Sequence, residues 1–372
     1  MKLGLDVSAV PTQVAGAGRY VVEIARRLPG LGIDTTLVSR RDDARRWQLW
    51  SPDAHVMPVV PTARVSRLAY EAWFIGTSPG VRGLDVWHAP HYTMPHRRMT
   101  PTVVTVHDLT FFTNPEWHER AKVGFFRRAI RYAAANAEVL ICVSTLTATL
   151  LDEIIPDHAP VVVAPHGVDL ERFVPDDHDD QAQLAALGVP DVPFILFVGT
   201  VEPRKGLDVL LDAFREVGAR DDSVQLFIAG QAGWGMNDLT KSIDSHDFSS
   251  RIRRLGFVDD AALPALMRRA RVVAYPSRGE GFGLPVLEAL ACGATVVTSR
   301  DTVMEEVAGG AAILARVGDV EELAEALRSA LALDEGRRLA LSSRARQRAE
   351  HFTWERSLEQ HQVAYSLARG QE

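Results

Sequence analysis

The stretch VVAYPSRGEGFGLPVLEALACG, residues 272–293, joins a short apolar run to a helical pattern through a glycine-rich loop. Val272–Tyr275 predicts a buried strand that ends at Pro276, and three glycines then free the backbone to approach a ligand closely. Pro285 suits the first turn of a helix, and Gly293 suits its end. A strand, a glycine loop and a helix in this order are typical of doubly wound α/β folds.

The start of this helix predicts a ligand site. Backbone amides at a helix start have no partner within the helix, so they favour an anion or a polar sugar beside the strand end. Glu280 lies in the loop and Glu288 about one turn into the helix, so both carboxylates can bond one molecule. Hydrogen bonds from sugar hydroxyls to carboxylates are strong and directional. The alternative interpretation is a glycine-rich turn with two solvated glutamates.

A second stretch, FVGTVEPRKGL at residues 197–207, places two cations directly before a helix. Arg204 and Lys205 precede a helical pattern that begins at Leu207. Two cations beside a helix start predict a diphosphate site that needs no metal. Because surface cations are common, the prediction depends on the nearby glutamate loop.

The chain as a whole alternates strand-like runs with helical patterns, and it does so twice. The predicted strands of the first half are Lys2–Val7, Asp34–Ser39, His55–Val60, Leu84–His88, Thr102–His107, Val139–Ser144 and Val161–Pro165. Those of the second half are Pro193–Gly199, Gln225–Ala229, Val272–Tyr275, Ala294–Thr298 and Ala311–Leu314. Interleaved helices imply mainly parallel sheets. The fold class is therefore α/β, with two Rossmann-like doubly wound domains facing a central cleft, the expected ligand site.

The domain boundaries follow from composition. We expect an N-terminal domain over residues 1–173, an acidic linker over 174–192, and a C-terminal domain over 193–350. Residues 351–372 contain a last helix, which is expected either to cover a surface or to return to the first domain.

The composition is that of a folded protein in the cytoplasm. Of 372 residues, 47% are hydrophobic and 24% charged, and no apolar run reaches the ~18 residues of a membrane span. The start MKLGLDVSAV has the pattern of a strand rather than a signal peptide. Cys142 and Cys292 lie in apolar runs, which predicts buried thiols. A net charge of −7 without a concentrated basic face argues against nucleic-acid binding.

One predicted helix, residues 119–135, combines basic and apolar side chains. Its basic residues are Arg120, Lys122, Arg127, Arg128 and Arg131, and its apolar ones include Val123, Phe125, Phe126 and Ile130. Such a helix either contacts the anionic inner surface of the cytoplasmic membrane or packs on the core with a solvated basic face.

At these motifs the chain resembles the retaining glycosyltransferases of group 1, or family 4, which have the GT-B fold. EGFGLPVLE at 280–288 is similar to their Glu-x7-Glu motif, and VEPRKGLDVLLDAF at 201–214 to their diphosphate segment. Lesser matches are RLGFVDDAALPALMRRARVVAYPS, VVAPHGVDLERF and VTVHDLTFF. The resemblance is dense over residues 193–310 and thinner over 1–173.

The resemblance implies roles for individual residues. Glu280 and the backbone of Phe282, Gly283 and Leu284 would hold the donor sugar, and Glu288 would contact the ribose. Arg204 and Lys205 would stabilise the departing diphosphate.

Two more residues follow from the N-terminal half. His107 ends a predicted strand, where crevice residues lie, and it matches the family's histidine near the transferred sugar. The loop AGAGRY at 15–20 resembles a Gly-Gly-x-Gly-Arg-Tyr loop, with Ala15 in place of the first glycine. Gly16 is therefore the candidate for approach to the diphosphate or the acceptor.

The resemblance also implies a reaction. Family members transfer a sugar with retention and without a metal, so no cofactor is expected beyond the nucleotide-sugar donor. Overall similarity to bacterial mannosyltransferases favours a mannosyl unit from GDP-mannose. The acceptor would be a saccharide or a lipid-linked saccharide in cell-envelope glycan synthesis. UDP-sugar donors, and a sugar-binding protein that kept the fold without catalysis, remain alternatives.

Other readings of single motifs are less favoured. Asp177-x-Asp179 has the form of a metal motif but lies in the acidic linker. His88, His91 and His96 could form a metal cluster, but prolines separate them and no carboxylate accompanies them. Gly16-Ala-Gly18 lacks the third glycine of a dinucleotide fingerprint, which argues against an NAD-dependent dehydrogenase. A sugar epimerase or phosphorylase shares the fold and is not excluded.

Overall fold

The computed structural model describes residues 1–14, 16–176, 179–231, 233 and 236–371. Its contacts divide the chain into two compact units. The N-terminal unit combines Met1–Gly167 with Trp354–Glu372, and the C-terminal unit is Val168–Thr353.

The N-terminal unit is built on a seven-stranded parallel sheet. Its strands are β1 (Lys2–Asp6), β2 (Asp34–Arg40), β3 (His55–Val60), β4 (Val86–Ala89), β5 (Thr102–Val106), β6 (Val139–Cys142) and β7 (Val161–Val163). They lie in the order β3-β2-β1-β4-β5-β6-β7. The central strands β4, β5 and β6 are buried along their whole length, as parallel strands covered on both faces must be.

Helices cover this sheet. They are α1 (Ala17–Arg27), α2 (Ala44–Trp50), α3 (Arg64–Trp73), α4 (Thr110–Thr113), α5 (Arg120–Asn136) and α6 (Thr145–Ile154), joined by the chain's last helix, α15 (Trp354–Ala368). The Ser144 side chain caps α6 by accepting a hydrogen bond from the amide of Thr147 at 3.1 Å. Helices α1, α2, α3, α4 and α6 each follow a strand, whereas α5 follows α4 and α15 follows the helix Glu335–Ala349. The apolar faces of the strands and helices are buried against each other.

Helix α15 completes the core of the N-terminal unit. Trp354, Leu358 and Tyr365 are buried in the same apolar cluster as Leu3 and Leu5 of β1. The helix contacts β5, β6, β7 and α1. The chain end therefore belongs structurally with its beginning.

The C-terminal unit contains a six-stranded parallel sheet. Its strands are β8 (Phe194–Val198), β9 (Gln225–Ala229), β10 (Ile252–Gly256), β11 (Val272–Tyr275), β12 (Val296–Ser299) and β13 (Ile313–Ala315), in the order β10-β9-β8-β11-β12-β13. Its helices are α7 (Asp180–Ala186), α8 (Leu207–Gly218), α9 (Met236–Asp244), α10 (Leu263–Arg269), α11 (Leu284–Ala291), α12 (Val303–Ala308), α13 (Val320–Leu331) and α14 (Glu335–Ala349). Helices α8 and α13 pack together on the core of one face.

The segment predicted as a linker, residues 174–192, is part of the C-terminal unit. Helix α7 lies within it and packs on α10, where Asp180 pairs with the nearly buried Arg268 at 2.6 Å. The same guanidinium donates to the carbonyl of Val174 at 3.1 Å. The acidic composition thus reflects a helix held by an ion pair, and the unit begins at Val168 rather than at residue 193. Asp177 of the Asp-x-Asp motif lies outside the described residues.

Two further predictions concern the cysteines and membrane-spanning segments. Cys142 and Cys292 are both free and buried, as the sequence predicts. None of the helices in the described part of the chain has the length and apolar character needed to cross a membrane.

Candidate active site

The glycine loop has the geometry that its residues predict. Gly283 is the N-cap residue of α11. Its φ of 96° is a backbone conformation that residues with a Cβ rarely adopt. Pro285 occupies the first turn of the helix, and Gly293 follows its end with a φ of 67°. The loop 276–283 therefore joins the carboxyl end of β11 to the start of α11.

Glu280 lies between the two cations of the other motif. Its Oε2 accepts from Nη1 of Arg204 at 2.5 Å, and its Oε1 accepts from Nζ of Lys205. Arg204 also donates to the carbonyl of Gly279 at 2.8 Å. The structure thus brings two adjacent cations together with a carboxylate that lies 75 and 76 positions further along the chain. We call these residues the Arg204–Lys205–Glu280 cluster.

Two residues that the sequence analysis did not single out hold the carboxylate in place. The hydroxyl of Tyr275 donates to Oε1 of Glu280 at 2.9 Å, and that of Ser277 donates to the same oxygen at 3.0 Å. Lys205 in turn donates to the Tyr275 hydroxyl at 2.6 Å. The available signal was their position, at the end of β11 and just before the glycine loop.

Burial and charge set the ionisation of this cluster. Burial raises the pKa of Glu280, but the charges of Arg204 and Lys205 outweigh it and hold this pKa at about 2. Burial lowers the pKa of Lys205, an effect that the Glu280 charge opposes. Burial and the same carboxylate raise the pKa of Tyr275 well above its ordinary value. At neutral pH, Glu280 is therefore an anion and Tyr275 keeps its proton.

Backbone contacts fix the cationic turn against the glycine loop. The carbonyl of Arg204 accepts from the amide of Arg278 at 2.8 Å and lies 3.1 Å from the hydroxyl oxygen of Ser277. Gly206 caps α8 with a φ of 71°, and a Cβ there would lie 2.0 Å from the carbonyl oxygen of Pro276. Only glycine allows the two chains to approach this closely.

The other residues of the C-terminal unit that are predicted to bind the donor lie on α11 or at its start. The side chains of Phe282 and Leu284 are buried, and Phe282 packs edge-on against Phe352. Their side chains serve packing, which leaves their backbone as the part that can meet a ligand. Glu288 is half-buried one turn further along the helix.

In the N-terminal unit, His107 follows the end of β5. It is buried, and its Nε2 lies 2.7 Å from the carbonyl oxygen of Pro90. Because a carbonyl can only accept, Nε2 carries the proton. Burial lowers the pKa of the ring, so His107 is neutral near pH 7 and its Nδ1 can accept a hydrogen bond.

Aromatic rings and a hydrogen-bond network surround His107. The ring of Tyr20 stands edge-on to it at 5.2 Å, and that of Tyr92 at 5.5 Å. The Tyr20 hydroxyl contacts the side chains of Thr105 at 2.9 Å and His361 at 2.7 Å. Helix α15 therefore supports the ring that packs on His107.

Gly16 stands at the start of α1, with a φ of 50° and space around the position of a Cβ. Its carbonyl accepts from the amide of Tyr20 at 3.3 Å, so it is one helical turn from the residue that packs on His107. Ala15, the departure from the family loop, lies outside the described residues.

The three histidines considered as a metal cluster do not converge. Both ring nitrogens of His88 are bonded, Nδ1 to the hydroxyl of Tyr365 at 2.9 Å and Nε2 to that of Thr105 at 2.8 Å. His96 packs instead on Trp73 and Tyr132. Within the described residues, no three His, Cys, Asp or Glu side chains are grouped to hold a metal ion.

Two family models match the chain, and together they span most of it. Residues 179–348 match the glycosyl transferases group 1, and residues 14–172 match the glycosyltransferase family 4. Two curated relatives extend the comparison. The O-antigen chain mannosyltransferase B of Escherichia coli is 31% identical over 289 residues, which cover 76% of this chain and 74% of that protein. A D-inositol 3-phosphate glycosyltransferase of Geodermatophilus obscurus is 30% identical across 98% of this chain and 88% of its own.

Solved structures show the same fold at lower identity. Sucrose-phosphate synthase from Thermosynechococcus elongatus superposes with a TM-score of 0.79 at 20% identity, covering 98% of both chains. HepE from Anabaena, solved in complex with UDP-glucose, gives 0.76 at 20% identity over 98% of this chain and all of its own. These matches contradict the dehydrogenase interpretation. The chain belongs to the group 1, family 4 glycosyltransferases and has the GT-B fold.

Proposed function

We propose that this glycosyltransferase transfers a mannosyl unit from GDP-mannose, with retention and without a metal, to a saccharide or lipid-linked acceptor. The proposed setting is cell-envelope glycan synthesis in the cytoplasm, at the inner face of the membrane. The similarity to an O-antigen chain mannosyltransferase supports the donor and the setting. The exposed Arg128, Arg131 and Phe125 of α5 support a peripheral contact with anionic lipid.

The Arg204–Lys205–Glu280 cluster is the observation that carries this proposal. Its two cations are bonded to one carboxylate, so an incoming diphosphate competes for the same donors. A diphosphate carries more negative charge than one carboxylate, which favours the exchange. Glu280 would then accept hydrogen bonds from hydroxyls of the attached sugar.

The other site residues complete the proposed donor contacts. The backbone of Phe282, Gly283 and Leu284 would bond the sugar at the start of α11, and Glu288 would bond the ribose. In the N-terminal unit, the neutral His107 would accept a hydroxyl of the transferred sugar at Nδ1, and Gly16 would let the backbone approach the diphosphate or the acceptor.

The chemistry that we propose needs no protein nucleophile. The acceptor oxygen forms a bond to the anomeric carbon as the bond from that carbon to the diphosphate oxygen breaks. The acceptor's proton passes to a β-phosphate oxygen on the same face, which retains the configuration. Arg204 and Lys205 stabilise the charge that develops on the leaving group.

A thermal-shift panel of GDP, UDP, ADP and their sugars tests the donor. We expect GDP and GDP-mannose to raise the melting temperature most, because a ligand that binds only the folded state stabilises it. A selective shift with UDP and UDP-glucose would instead support the second candidate, a UDP-sugar donor of the kind present in the HepE complex. No shift with any nucleotide sugar would contradict both.

Arg204→Ala tests the diphosphate contact. The variant should bind the nucleotide diphosphate about 10- to 100-fold more weakly, because a hydrogen bond to a charged group contributes about 1.5–3 kcal/mol. Arg328→Ala is the matched control, since Arg328 pairs with Glu216 at 3.2 Å on the same unit and away from the cluster. If titration calorimetry gives Arg204→Ala and the wild type the same affinity for the nucleotide diphosphate, Arg204 does not have the proposed role.

A further inference from the structure

The N-terminal unit contains a cavity to which no role has been assigned. It lies between α3, α5 and the segment that follows β4, and its volume is about 210 Å³. Its walls are mostly apolar and are formed by Leu68, Ala72, Met94, Phe125, Ala129 and Tyr132. Such walls favour an apolar ligand group over water.

Polar side chains interrupt the apolar lining: the acids Asp6 and Glu71, together with Thr93, His96 and Arg128. Asp6 is the last residue of β1, and Glu71 lies on α3. Glu71 accepts hydrogen bonds from the Ser8 hydroxyl at 2.6 Å and from Arg67 at 2.7 Å. Burial raises the pKa of Asp6, and burial with the Asp6 charge raises the pKa of Glu71 to about 7.

These acids decide which ligands the cavity can accept. A phosphate beside Asp6 and Glu71 would meet two carboxylates in an apolar setting, which is unfavourable, and the cation of the lining, Arg128, is exposed to solvent. A neutral hydroxyl can donate to either carboxylate at no such cost. The cavity therefore suits a ligand that is apolar on one side and hydroxylated on the other.

A short segment connects the cavity with His107. At one end of residues 90–96, the Pro90 carbonyl accepts from His107, and the Tyr92 ring packs on it. The other end, Thr93–His96, lines the cavity. Asp6 ends β1, and His107 follows β5. Both therefore lie at the carboxyl edge of one parallel sheet.

We propose that this cavity is an acceptor subsite, which takes an apolar aglycone against Phe125 and Met94 and a sugar hydroxyl at Asp6. The inference rests on the proposed function and deepens it, because it assigns the acceptor to the amphipathic glycosides. Donor binding is assigned to other residues and does not depend on this cavity.

Hexyl and methyl α-mannopyranoside test the subsite, with the donor that the thermal-shift panel selects. The wild-type KM for the hexyl glycoside should be lower by about tenfold or more, because the chain buries methylenes in the cavity. Ala129→Phe places a ring in the cavity and should abolish this preference. Ala135→Phe, at an exposed position of the same helix, is the matched control and should keep it.

Three measurements separate the outcomes. Hydrolysis of the donor in the absence of acceptor should be equal in wild type and both variants. Asp6→Asn, which keeps the volume of the side chain, should raise KM about tenfold for both glycosides, since it weakens the shared hydroxyl contact. Saturation-transfer NMR of hexyl mannoside measures binding to the cavity without any donor.

The proposal is overturned if Ala129→Phe retains the hexyl preference, if the wild type has none, or if Asp6→Asn leaves both KM values unchanged. A different outcome would separate the two proposals. If no nucleotide sugar stabilises the protein, but hexyl mannoside binds the wild type and not Ala129→Phe, the cavity is a glycoside site and only the proposed transfer reaction is refuted. Near-ultraviolet circular dichroism confirms that each variant is folded.

Discussion

Glu280 shares its two cations with the group that it is proposed to position. While Arg204 and Lys205 bond the carboxylate, the charges of the buried cluster are largely balanced. Isolated like charges in this setting would repel each other and lose hydration. The carboxylate therefore keeps the two cations together, in position for a diphosphate.

Glu280→Gln should lower kcat/KM by about 10- to 100-fold, because an amide replaces a charged acceptor worth about 1.5–3 kcal/mol. With its pKa held at about 2, Glu280 stays ionised throughout the pH range of any assay, so acid should not reproduce the defect above pH 4. Glu216→Gln, which removes a surface carboxylate of the same unit, is the control. Similar steady-state kinetics in both variants would argue against a role of Glu280 in transfer.

For single residues, the sequence predicts the site roles of charged side chains better than those of the uncharged side chains that hold them in place. Glu280, Arg204 and Lys205 stand in motifs whose local spacing indicates a ligand. No such motif marks Tyr275 and Ser277. The local pattern predicts Tyr275 as the last residue of a buried strand and Ser277 as a turn residue. Their bonds to Glu280 arise only when the loop folds back over the strand end.

At the scale of elements, Gly206 allows the turn before α8 to pack closely against the segment that follows β11. This contact brings the two halves of the site together. Gly206→Ala should destabilise the C-terminal unit by about 1–2 kcal/mol of left-handed backbone strain, plus about 1–3 kcal/mol for the clash with Pro276. Gly310→Ala is the control, since Gly310 has a φ of 82° and nothing near its Cβ position. Urea unfolding should show the larger loss for Gly206. Equal losses would mean that the close approach costs nothing.

Most elements follow from sequence periodicity, and the exceptions have physical reasons. Strand β10 was missed because Arg253 and Arg254 interrupt its apolar residues. It lies at the edge of its sheet, where one half of the strand faces water. Helix α7 was missed because its acidic start resembles a linker, whereas Asp180 is held by Arg268 from a distant part of the chain.

At the scale of the whole molecule, buried histidines give the two units different responses to acid. Burial lowers the pKa of His88, His91, His107, His166 and His361, all of which belong to the N-terminal unit. A histidine whose pKa is lowered on folding stabilises the fold above its unfolded pKa of about 6.5, and this contribution is lost as the pH falls. Asp6, Glu71 and His158, whose pKa values are raised, act in the opposite direction but are fewer.

The N-terminal unit should therefore lose stability between pH 7.5 and 5.5, by up to about 1.4 kcal/mol per pH unit for each net proton. Tryptophan fluorescence during urea unfolding reports mainly on this unit, which holds six of the seven tryptophans. His361→Gln should reduce the slope, whereas His55→Gln, at an exposed position, should not. A stability that does not change over this range would show that the histidines are protonated alike in both states.

The packing of α15 on the N-terminal sheet also determines the order in which the two units can finish folding during synthesis. A ribosome releases residues 354–368 only after the entire C-terminal unit has been made, so the nascent N-terminal sheet waits without the helix that seals its core. The second unit can finish before the first. A message that ends early, even by the length of one helix, would leave the apolar cluster around Leu3 and Leu5 open to aggregation.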